Sequence, residues 1–343
     1  MGSSPTKFTE ALAREKGLTI VGPDALTIRR RRCGRGFTFR LPSGAILRDR
    51  SDIARLKALA VPPAYADVRF AAEASAHLQA IGTDAAGRLQ YRYHPRWTEV
   101  REALKARRLA RLARSLPDIE RAIAKALHGE AVDAGFVLAA VVRLVSLTAI
   151  RAGGESYARE HGTRGATTLL KSNVRITDGA VTLQFRAKGG KAVSKEVRDA
   201  RLHAAVAALM LLPGRRLFQY RDAEGALHTV RASEVNAYLC SIAGRRISLK
   251  DFRTLVASSS VLEALAATEP ATSERGRRSQ LRSAVAAVAD QLTNTPTVCR
   301  ESYVHDAVVT AFEQGALARL GKPSRSAARK AEVLARIVAR HSS

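Results

Sequence analysis

Residues 174–197 read VRITDGAVTLQFRAKGGKAVSKEV and give the clearest secondary-structure signal in the chain. Two short apolar runs, Val174–Ile176 and Val181–Phe185, flank Asp178-Gly179, a dipeptide strongly preferred in two-residue hairpin turns. A second turn that contains glycine leads to a third run at Ala192–Val197. The pattern predicts a three-stranded antiparallel insert that carries lysines on the tip of its second hairpin.

The sequence on both sides of this insert is mainly helical. The most apolar run, Phe136–Ile150, is shorter than the roughly 20 apolar residues that a bilayer span needs, so it predicts a buried helix. Ser248 and Asp251 form a capping box that begins another helix, and Ser233 is expected to cap a helix that ends at Gly244. A further amphipathic stripe has apolar residues at helical spacing: Leu281, Val285, Val288 and Leu292.

Two more helical segments lie closer to the ends of this region. Helical spacing begins near Thr98, and Pro117 is expected to start a second helix that stops at Gly129. The last 25 residues are basic and rich in alanine, which predicts a peripheral helix.

The first hundred residues follow a different pattern. Between residues 18 and 68, short apolar runs alternate with glycine and proline, which predicts a small sheet with a short helix at Ile53–Leu59. Leu89–Tyr93 predicts a further strand. We therefore expect an α+β protein with a flexible tail at 1–16, an N-terminal antiparallel β-sheet domain at 17–97, and a larger, mainly α-helical domain at 98–343 with a basic C-terminal tail.

The charge of the chain indicates its partner. The 343 residues include 57 Lys and Arg against 31 Asp and Glu, a net charge of +26, which is typical of proteins that bind polyanions such as nucleic acids. A hydrophobic content of 46% excludes wholesale disorder. The sequence contains no Walker motif, no paired-histidine zinc motif, no GxSxG elbow and no CxxC pair, so it offers no support for an ATP-driven motor, a zinc hydrolase or a serine acyl transferase.

Four basic or phenolic residues stand out. Arg151 ends the apolar helix beside two glycines, Lys188 lies on the hairpin tip, Arg253 lies in the first turn of a capped helix, and Tyr303 follows a predicted helix start at Pro296. Each has an ordinary structural explanation when taken alone, as a helix cap, a solvated turn residue or the edge of a core. Their order along the chain is more informative than any one of them.

Taken in order, the segments around these residues resemble the motifs of type IB DNA topoisomerases, in particular the compact poxvirus-like branch found in bacteria. The resemblance extends over about residues 45–313. Its motifs are the first arginine motif Ile150–Glu160 with Gly165–Leu169, the lysine hairpin Phe185–Gly190, the second arginine motif Lys250–Thr254, the tyrosine segment Asn294–Tyr303, and the DNA-contacting strand Gly87–Tyr93 of the N-terminal domain. The stretch Val61–Tyr65 is similar to the family as well.

The resemblance implies a mechanism. Tyr303 is expected to attack a DNA phosphodiester and form a 3′-phosphotyrosyl enzyme, while Arg151 and Arg253 stabilise the extra negative charge on the phosphorus-bound oxygens. Lys188 is expected to protonate the departing 5′ oxygen. Strand rotation and religation then relax supercoils. No ATP, metal or other cofactor is implied, and we expect a monomer that acts in the cytoplasm, at the nucleoid, as a C-shaped clamp on double-stranded DNA and not at a membrane.

Two positions depart from the family pattern. Asn294 stands where the viral and eukaryotic enzymes carry histidine, and it can donate a hydrogen bond to a phosphate oxygen although it cannot titrate. The bacterial branch often carries asparagine at this position, so we keep Asn294 among the expected catalytic residues. Ala187 replaces the glycine that usually precedes the lysine. With Lys191 nearby, the identity of the general acid stays open, and Lys188 is favoured.

The resemblance also implies residues that contact DNA without taking part in the reaction. In the N-terminal domain these are Arg88, Gln90, Tyr91 and Tyr93, and in the larger domain they are Tyr157, Lys191 and Lys250. We expect phosphate contacts to dominate, because the motif residues are mostly Arg, Lys and Tyr, and the four residues of the N-terminal domain are candidates for major-groove or backbone contact.

Two other classes of protein are weighed against this family. Tyrosine recombinases share the catalytic logic, but they typically have His-x-x-Arg where this chain has Lys250-x-x-Arg253, and they lack the Gln90–Tyr93 motif. A non-catalytic basic DNA-binding protein would be expected to have lost a catalytic residue. All five expected catalytic residues are present here: Arg151, Lys188, Arg253, Asn294 and Tyr303. A cleavage preference or a preferred sign of supercoil cannot be deduced from the sequence.

Overall fold

The chain forms two compact units, Met1–Leu104 and Lys105–Ser343, in a computed structural model that describes residues 7–129, 131–317 and 327–341. The units divide after Leu104, seven residues beyond the boundary expected between residues 97 and 98, so the first two turns of the long helix Trp97–Ala126 belong to the first unit.

The first unit is built on a five-stranded antiparallel sheet with strand order β2-β1-β3-β4-β5. The expected N-terminal antiparallel sheet is therefore confirmed, and the strand predicted at Leu89–Tyr93 is β5. Helix α2 contains most of the short helix predicted at Ile53–Leu59. The elements are α1 (Lys7–Glu15), β1 (Ile28–Cys33), β2 (Gly36–Arg40), α2 (Arg50–Ala58), β3 (Ala66–Phe70), β4 (Leu78–Thr83) and β5 (Leu89–Tyr93), followed by the start of α3 (Trp97–Ala126).

The two faces of this sheet differ in character. On the inner face Phe39 and Phe70 meet edge to face, with ring centroids 5.5 Å apart, in a core that includes Leu56 of α2. On the other face Arg29 pairs in register with both Arg40 and Arg69. Because directly opposite residues of an antiparallel pair lie on the same face, three arginines form a row across β2, β1 and β3.

Part of the expected flexible tail is ordered. The sequence predicts a tail over residues 1–16, whereas Lys7–Glu15 form α1. Ala13 of α1 is fully buried in a small core with Leu18 and with Val100 of α3. This contact joins residues about 90 positions apart, so local composition gave no sign of it. Residues 1–6 lie outside the described part of the chain.

The second unit is mainly helical, as expected, and the three-stranded insert is confirmed with strand order β6-β7-β8. A short hairpin of β9 and β10 was not predicted. After α3 the elements are α4 (Ala134–Thr148), α5 (Glu155–His161), β6 (Val174–Thr177), β7 (Ala180–Arg186), β8 (Ala192–Val197), α6 (Ala200–Leu211), β9 (Gln219–Arg221), β10 (Leu227–Thr229), α7 (Ala232–Ala243), α8 (Leu249–Ala266), α9 (Glu274–Gln291), α10 (Pro296–Ser302), α11 (Asp306–Glu313) and α12 (Ala327–His341).

Three local predictions for this unit were wrong. Helix α3 continues through Pro117 instead of restarting there. An internal proline costs about 3 kcal/mol, but Leu112, Leu116 and Ile119 are buried on one side of the helix, and burial of such side chains stabilises by about 1.5–3 kcal/mol each.

Helix α7 begins after Arg231, not Ser233, because the Glu234 carboxylate accepts a hydrogen bond of 2.8 Å from the Arg231 backbone nitrogen.

The third wrong prediction concerns α12, which was expected to be a peripheral helix. Its side chains Ala331, Leu334 and Val338 are buried in the main core. The sequence is basic, but its apolar residues recur at helical spacing and cover the neighbouring α8 and α11. Residues 318–326 and 342–343 of the expected C-terminal tail lie outside the described residues.

Helix α4 lies at the centre of this unit. The Asp133 carboxylate caps its start by accepting a hydrogen bond of 2.8 Å from the Phe136 nitrogen, and nine of its residues are buried. The single charge within it, Arg143, donates hydrogen bonds of 2.6 Å to both Glu120 and Asp199. Paired in this way, the guanidinium can occupy an otherwise apolar helix. None of the helices in the described ranges is long and apolar enough to cross a membrane.

Candidate active site

Arg253 is held at the centre of the second unit by the first turn of α8. Ser248 and Asp251 form the predicted capping box, with the Asp251 carboxylate accepting from both the Ser248 nitrogen (2.8 Å) and hydroxyl (2.9 Å). The Arg253 side chain donates to the Ala149 carbonyl and, at 3.1 Å, to the Leu292 carbonyl. Arg253 is only 3% exposed, and these two carbonyls fix its guanidinium in place.

Arg151 lies on a tight loop that follows α4. The helix ends at Ala149 in a left-handed conformation (φ 51°), and the carbonyl of Arg151 then accepts a hydrogen bond of 2.8 Å from the Ala166 nitrogen. The loop also requires glycine at position 165, because a Cβ atom there would lie 2.5 Å from the Gly153 nitrogen and 2.6 Å from the Arg151 oxygen. Close backbone packing therefore sets the direction of the Arg151 side chain.

Asn294 connects Arg151 to the end of α9. Its side-chain oxygen accepts a hydrogen bond from the Arg151 guanidinium, and its backbone nitrogen donates to the Ala289 carbonyl at 2.8 Å. The Asn294 Nδ2 and Arg151 Nη1 atoms are buried and have no hydrogen-bond partner in the described part of the protein. Arg151 and Asn294 thus bond to each other, and each keeps a further N–H donor free for an anion.

Tyr303 follows α10, whose start is capped by the Thr295 hydroxyl. The Tyr303 nitrogen donates to the Cys299 carbonyl at 3.0 Å, and the Tyr303 carbonyl accepts a hydrogen bond of 2.8 Å from the Ser258 hydroxyl. The same hydroxyl accepts at 3.1 Å from the His305 nitrogen. Tyr303 is 8% exposed, and the centre of its ring lies 4.9 Å from the guanidinium carbon of Arg253.

The charges around Tyr303 favour its ionisation. Burial alone raises the pKa of the phenol, but Arg253, through its charge and a hydrogen bond, together with the charges of Arg151 and Lys250, brings that pKa below its ordinary value. Burial lowers the pKa of Arg151, and the neighbouring charge of Arg253 lowers it further. The site therefore holds several cations close to one phenol, as the stabilisation of a phenolate or a phosphate requires.

The two lysines of the β7–β8 turn have different surroundings. Lys188 is exposed, and its Nζ lies 5.0 Å from the centre of the Tyr157 ring on α5. Lys191 instead donates a hydrogen bond of 2.9 Å from Nζ to the Asn294 carbonyl. The structure thus brings together Tyr303, Arg253, Arg151, Asn294 and Lys191, and it leaves Lys188 on the rim, beside Tyr157.

Sequence reasoning missed two groups that belong to this site. Lys195 in β8 is half-buried, and burial followed by the charge of Arg253 lowers its pKa. Its signal was present, since Lys195 lies two residues from both Val193 and Val197 and thus on the face of β8 that carries the buried Val193. Ser258, which holds the Tyr303 backbone, lies in the interior of α8 with no local sign of its role.

The residues expected to contact DNA from the first unit fall into two pairs. Arg88 and Gln90 both donate to the Asp84 carboxylate, at 2.9 Å each. The Arg88 backbone nitrogen also donates to this carboxylate, and that bond, followed by the bond from the Arg88 side chain, lowers the pKa of Asp84 to about 2. Tyr91 and Tyr93 are exposed by 45% and 42%, and their rings stack with centroids 6.2 Å apart. The tyrosines are thus available on the surface, whereas Arg88 and Gln90 also order the β4–β5 turn.

The chain resembles known enzymes over most of its length. Eukaryotic DNA topoisomerase I, catalytic core, matches residues 95–325, and the bacterial DNA topoisomerase IB N-terminal domain matches residues 36–84. DNA topoisomerase 1B of Acanthamoeba polyphaga mimivirus is 31% identical over 260 residues, which are 74% of this chain and 77% of the viral protein. DNA topoisomerase 1B of Vaccinia virus (strain Copenhagen) is 28% identical over 116 residues, 34% of this chain and 37% of that protein.

These matches define an enzyme of the DNA topoisomerase class, an isomerase whose substrate is DNA. The chain belongs to the type IB DNA topoisomerase family, and its N-terminal domain is of the bacterial kind. The resemblance stated from the motifs is confirmed. In the described part of the chain, no three His, Cys, Asp or Glu side chains are grouped so that they could hold a metal ion.

Proposed function

We propose that the chain relaxes supercoiled DNA by cutting and rejoining one strand at Tyr303, through a 3′-phosphotyrosyl intermediate and without ATP or a metal ion. The observation that carries this proposal is the group formed by the buried Tyr303 phenol, the Arg253 guanidinium and the hydrogen-bonded pair Arg151–Asn294. A nucleophile whose pKa is lowered by cations, beside free buried donors, suits attack on a phosphodiester.

In the cleavage step the Tyr303 oxygen bonds to phosphorus as the bond from phosphorus to the 5′ oxygen breaks. The phenol loses its proton, and the departing 5′ oxygen gains one and becomes a 5′ hydroxyl. Religation reverses these changes, so the phosphoester count is conserved and no external energy source is needed. The free donors of Arg151 and Asn294, and the charge of Arg253, stabilise the pentacoordinate state, where one such donor is typically worth about 3–4 kcal/mol.

Lys188 is our choice for the acid that protonates the 5′ oxygen. Its exposed position on the hairpin tip leaves its ammonium free to meet a leaving group, and its contact with Tyr157 is a cation–π contact that DNA can displace. Lys191 is already bonded to the Asn294 carbonyl, which supports a role in positioning that loop. Lys250, which lowers the pKa of Tyr303, is proposed to contact a phosphate as well.

The first unit is proposed to contact the duplex through the exposed pair Tyr91 and Tyr93. Arg88 and Gln90 would join them at the expense of their bonds to Asp84, or would act by holding the turn. Tyr157, 45% exposed on α5, is proposed to make a DNA contact in the second unit. Most of these contacts would be to phosphates and sugars.

A plasmid relaxation assay in EDTA without ATP tests this proposal. The wild-type chain should relax the plasmid, and a denaturant quench should trap a covalent complex with DNA. Tyr303→Phe should bind duplex DNA as before but give neither result, because phenylalanine has no atom that can attack phosphorus. Arg151→Ala and Arg253→Ala should retain slow cleavage. Relaxation or a covalent adduct with Tyr303→Phe would exclude Tyr303 as the nucleophile.

A further inference from the structure

A second cluster of arginines lies in the second unit, apart from the residues that surround Tyr303. It lines a cleft of about 440 Å³. The polar side chains in the lining are Arg159, Arg164, Arg215, Arg216 and Gln219. None of these residues belongs to a motif that carries the family resemblance except Arg159, for which the resemblance implies no role.

The backbone around the cleft is fixed by hydrogen bonds. Helix α5 supplies Arg159, and the Arg164 nitrogen donates to the Arg186 carbonyl at 2.7 Å. On the opposite side, the Arg215 carbonyl accepts a hydrogen bond of 2.9 Å from the Lys171 nitrogen, and Arg216 forms a β-bridge with Leu170. The four arginines come from three separate segments that the fold holds together, so their convergence is a feature of the tertiary structure.

The positive charge in this cleft is largely uncompensated. Arg216 pairs with Glu155 at 2.5 Å, but its Nη1 atom is buried and has no partner among the described residues. Within the same part of the chain, the side chains of Arg159, Arg164 and Arg215 make no hydrogen bond to protein. Burial, followed by the charge of Arg216, lowers the pKa of Arg164.

Arg164 and Arg216 are partly buried and repel each other, an arrangement that an added anion would stabilise. Arg159 and Arg215 are exposed beside them. The planar fork of a guanidinium donates two parallel hydrogen bonds to the oxygens of a phosphate or a carboxylate, and DNA supplies phosphates. Gln219 adds a side-chain amide, whose nitrogen donates to the Pro213 carbonyl. The lining therefore suits an oxyanion, and in a protein whose substrate is DNA that oxyanion is a phosphate group.

The cleft is connected to the proposed catalytic residues through two short segments. Arg164 directly precedes Gly165, which packs on the backbone of Arg151 and Gly153. Arg186, whose carbonyl holds the Arg164 backbone, lies two residues before Lys188. The loops that carry Arg151 and Lys188 therefore also form part of the frame of the cleft.

We propose that this four-arginine cleft binds a phosphate of the DNA backbone outside the cleaved position. The inference rests on the proposed function for the identity of its ligand, and on the cleft alone for a site that binds an oxyanion. Its role is to increase affinity and to fix the duplex, and it takes no part in bond breaking.

The test removes two of the arginines that have no protein partner. We expect Arg159→Gln/Arg215→Gln to bind a labelled duplex more weakly, and the slope of log K against log salt concentration to become shallower by about 0.9 for each DNA phosphate that the variant no longer neutralises. Cleavage of saturating DNA in a single turnover should proceed at the wild-type rate. Arg201→Gln, which removes one exposed charge on α6, is the matched control and should leave the slope unchanged.

Other results would overturn the proposal. An unchanged slope in the double variant excludes a DNA phosphate from the cleft. If tripolyphosphate raises the unfolding temperature of wild type but not of the variant, and the slope is unchanged, the ligand is a free anion and not DNA. Arg159→Gln alone, on the exposed side of α5, repeats the test should the double variant misfold. Failure of wild type to cleave would refute the proposed function, whereas the salt slope would still report on the cleft.

Discussion

The guanidinium carbon of Arg253 lies 4.9 Å from the centre of the Tyr303 ring, although the two residues are 50 positions apart and belong to different helical segments. The guanidinium is at the same time bonded to the Ala149 and Leu292 carbonyls, which lie at the ends of α4 and α9. Arg253 therefore does two things. It joins three helices, and it places a permanent charge against the phenol.

The first prediction concerns pH. In the proposed mechanism the Tyr303 phenolate attacks phosphorus, so the single-turnover cleavage rate should rise with pH and level off near the pKa of Tyr303, which the surrounding cations hold below its ordinary value. Lys250→Gln removes one of these cations, so the pKa should rise and the rising limb should move to higher pH. Rates measured at saturating DNA separate this effect from binding. Lys250→Arg keeps the charge and should leave the profile in place; an unmoved profile for Lys250→Gln would refute the argument.

The second prediction concerns the pair Arg151 and Asn294. Because the asparagine side chain accepts a hydrogen bond from the guanidinium, each positions the other. Arg151→Ala and Asn294→Ala should each slow cleavage by about 10²–10³. The double variant should be little slower than the worse single variant, since coupled residues do not add. Additive losses in this double-mutant cycle would show that the two side chains act independently.

A third prediction separates the lysines of the hairpin tip. Lys188→Ala should slow cleavage of ordinary DNA, and a substrate with a 5′-bridging phosphorothiolate should restore the rate because sulfur leaves without protonation. Lys191→Ala removes a hydrogen bond to the Asn294 carbonyl, so the sulfur substrate should not rescue it. Arg151→Ala serves as a second variant that should resist rescue. Rescue of Lys191→Ala instead would assign the acid to Lys191.

The fourth prediction concerns the loop that carries Arg151. Gly165→Ala would bring a Cβ atom to 2.5 Å from the Gly153 nitrogen and displace the loop. A displacement of about 1 Å in a catalytic group can cost about 10²-fold in rate. Gly154→Ala is the control, because a Cβ there meets nothing within 4 Å and its φ of −154° suits any residue. Equal cleavage rates for the two variants would show that the close packing at Gly165 does not position Arg151.

Local chemistry made much of this fold predictable from the sequence. The strands Leu89–Tyr93 and Ala192–Val197 and the capping box of Ser248 and Asp251 lie where residue patterns indicated, because turn dipeptides, alternation and helix caps depend on neighbours within a few positions. Tyr303, Arg151 and Arg253 could be singled out from motif order, and their contacts could not.

What the sequence did not reveal depends on residues far apart. Helix α3 passes through Pro117 because the core buries its apolar face, and α1 is ordered through its contact with Val100. The convergence of Arg164 with Arg215 requires the chain to return after about 50 residues, which no local pattern encodes. The sequence places Lys195 on the buried face of a strand and could have identified it as unusual. Its proximity to Arg253 could not be predicted.

The hydrogen bonds around the Tyr303 backbone have a mechanical consequence. In the proposed covalent intermediate, torque from a rotating duplex would reach the protein through one ester bond, at Tyr303. The Ser258 hydroxyl holds the main chain on the C-terminal side of the Tyr303 side chain, by donating to the Tyr303 carbonyl and accepting from the His305 nitrogen. Lys105 donates at 3.3 Å to the carbonyls of Glu301, before Tyr303, and Val304, after it. These hydrogen bonds would transmit the torque to α8 and α3. The cut strand could then rotate while Tyr303 stays aligned for religation.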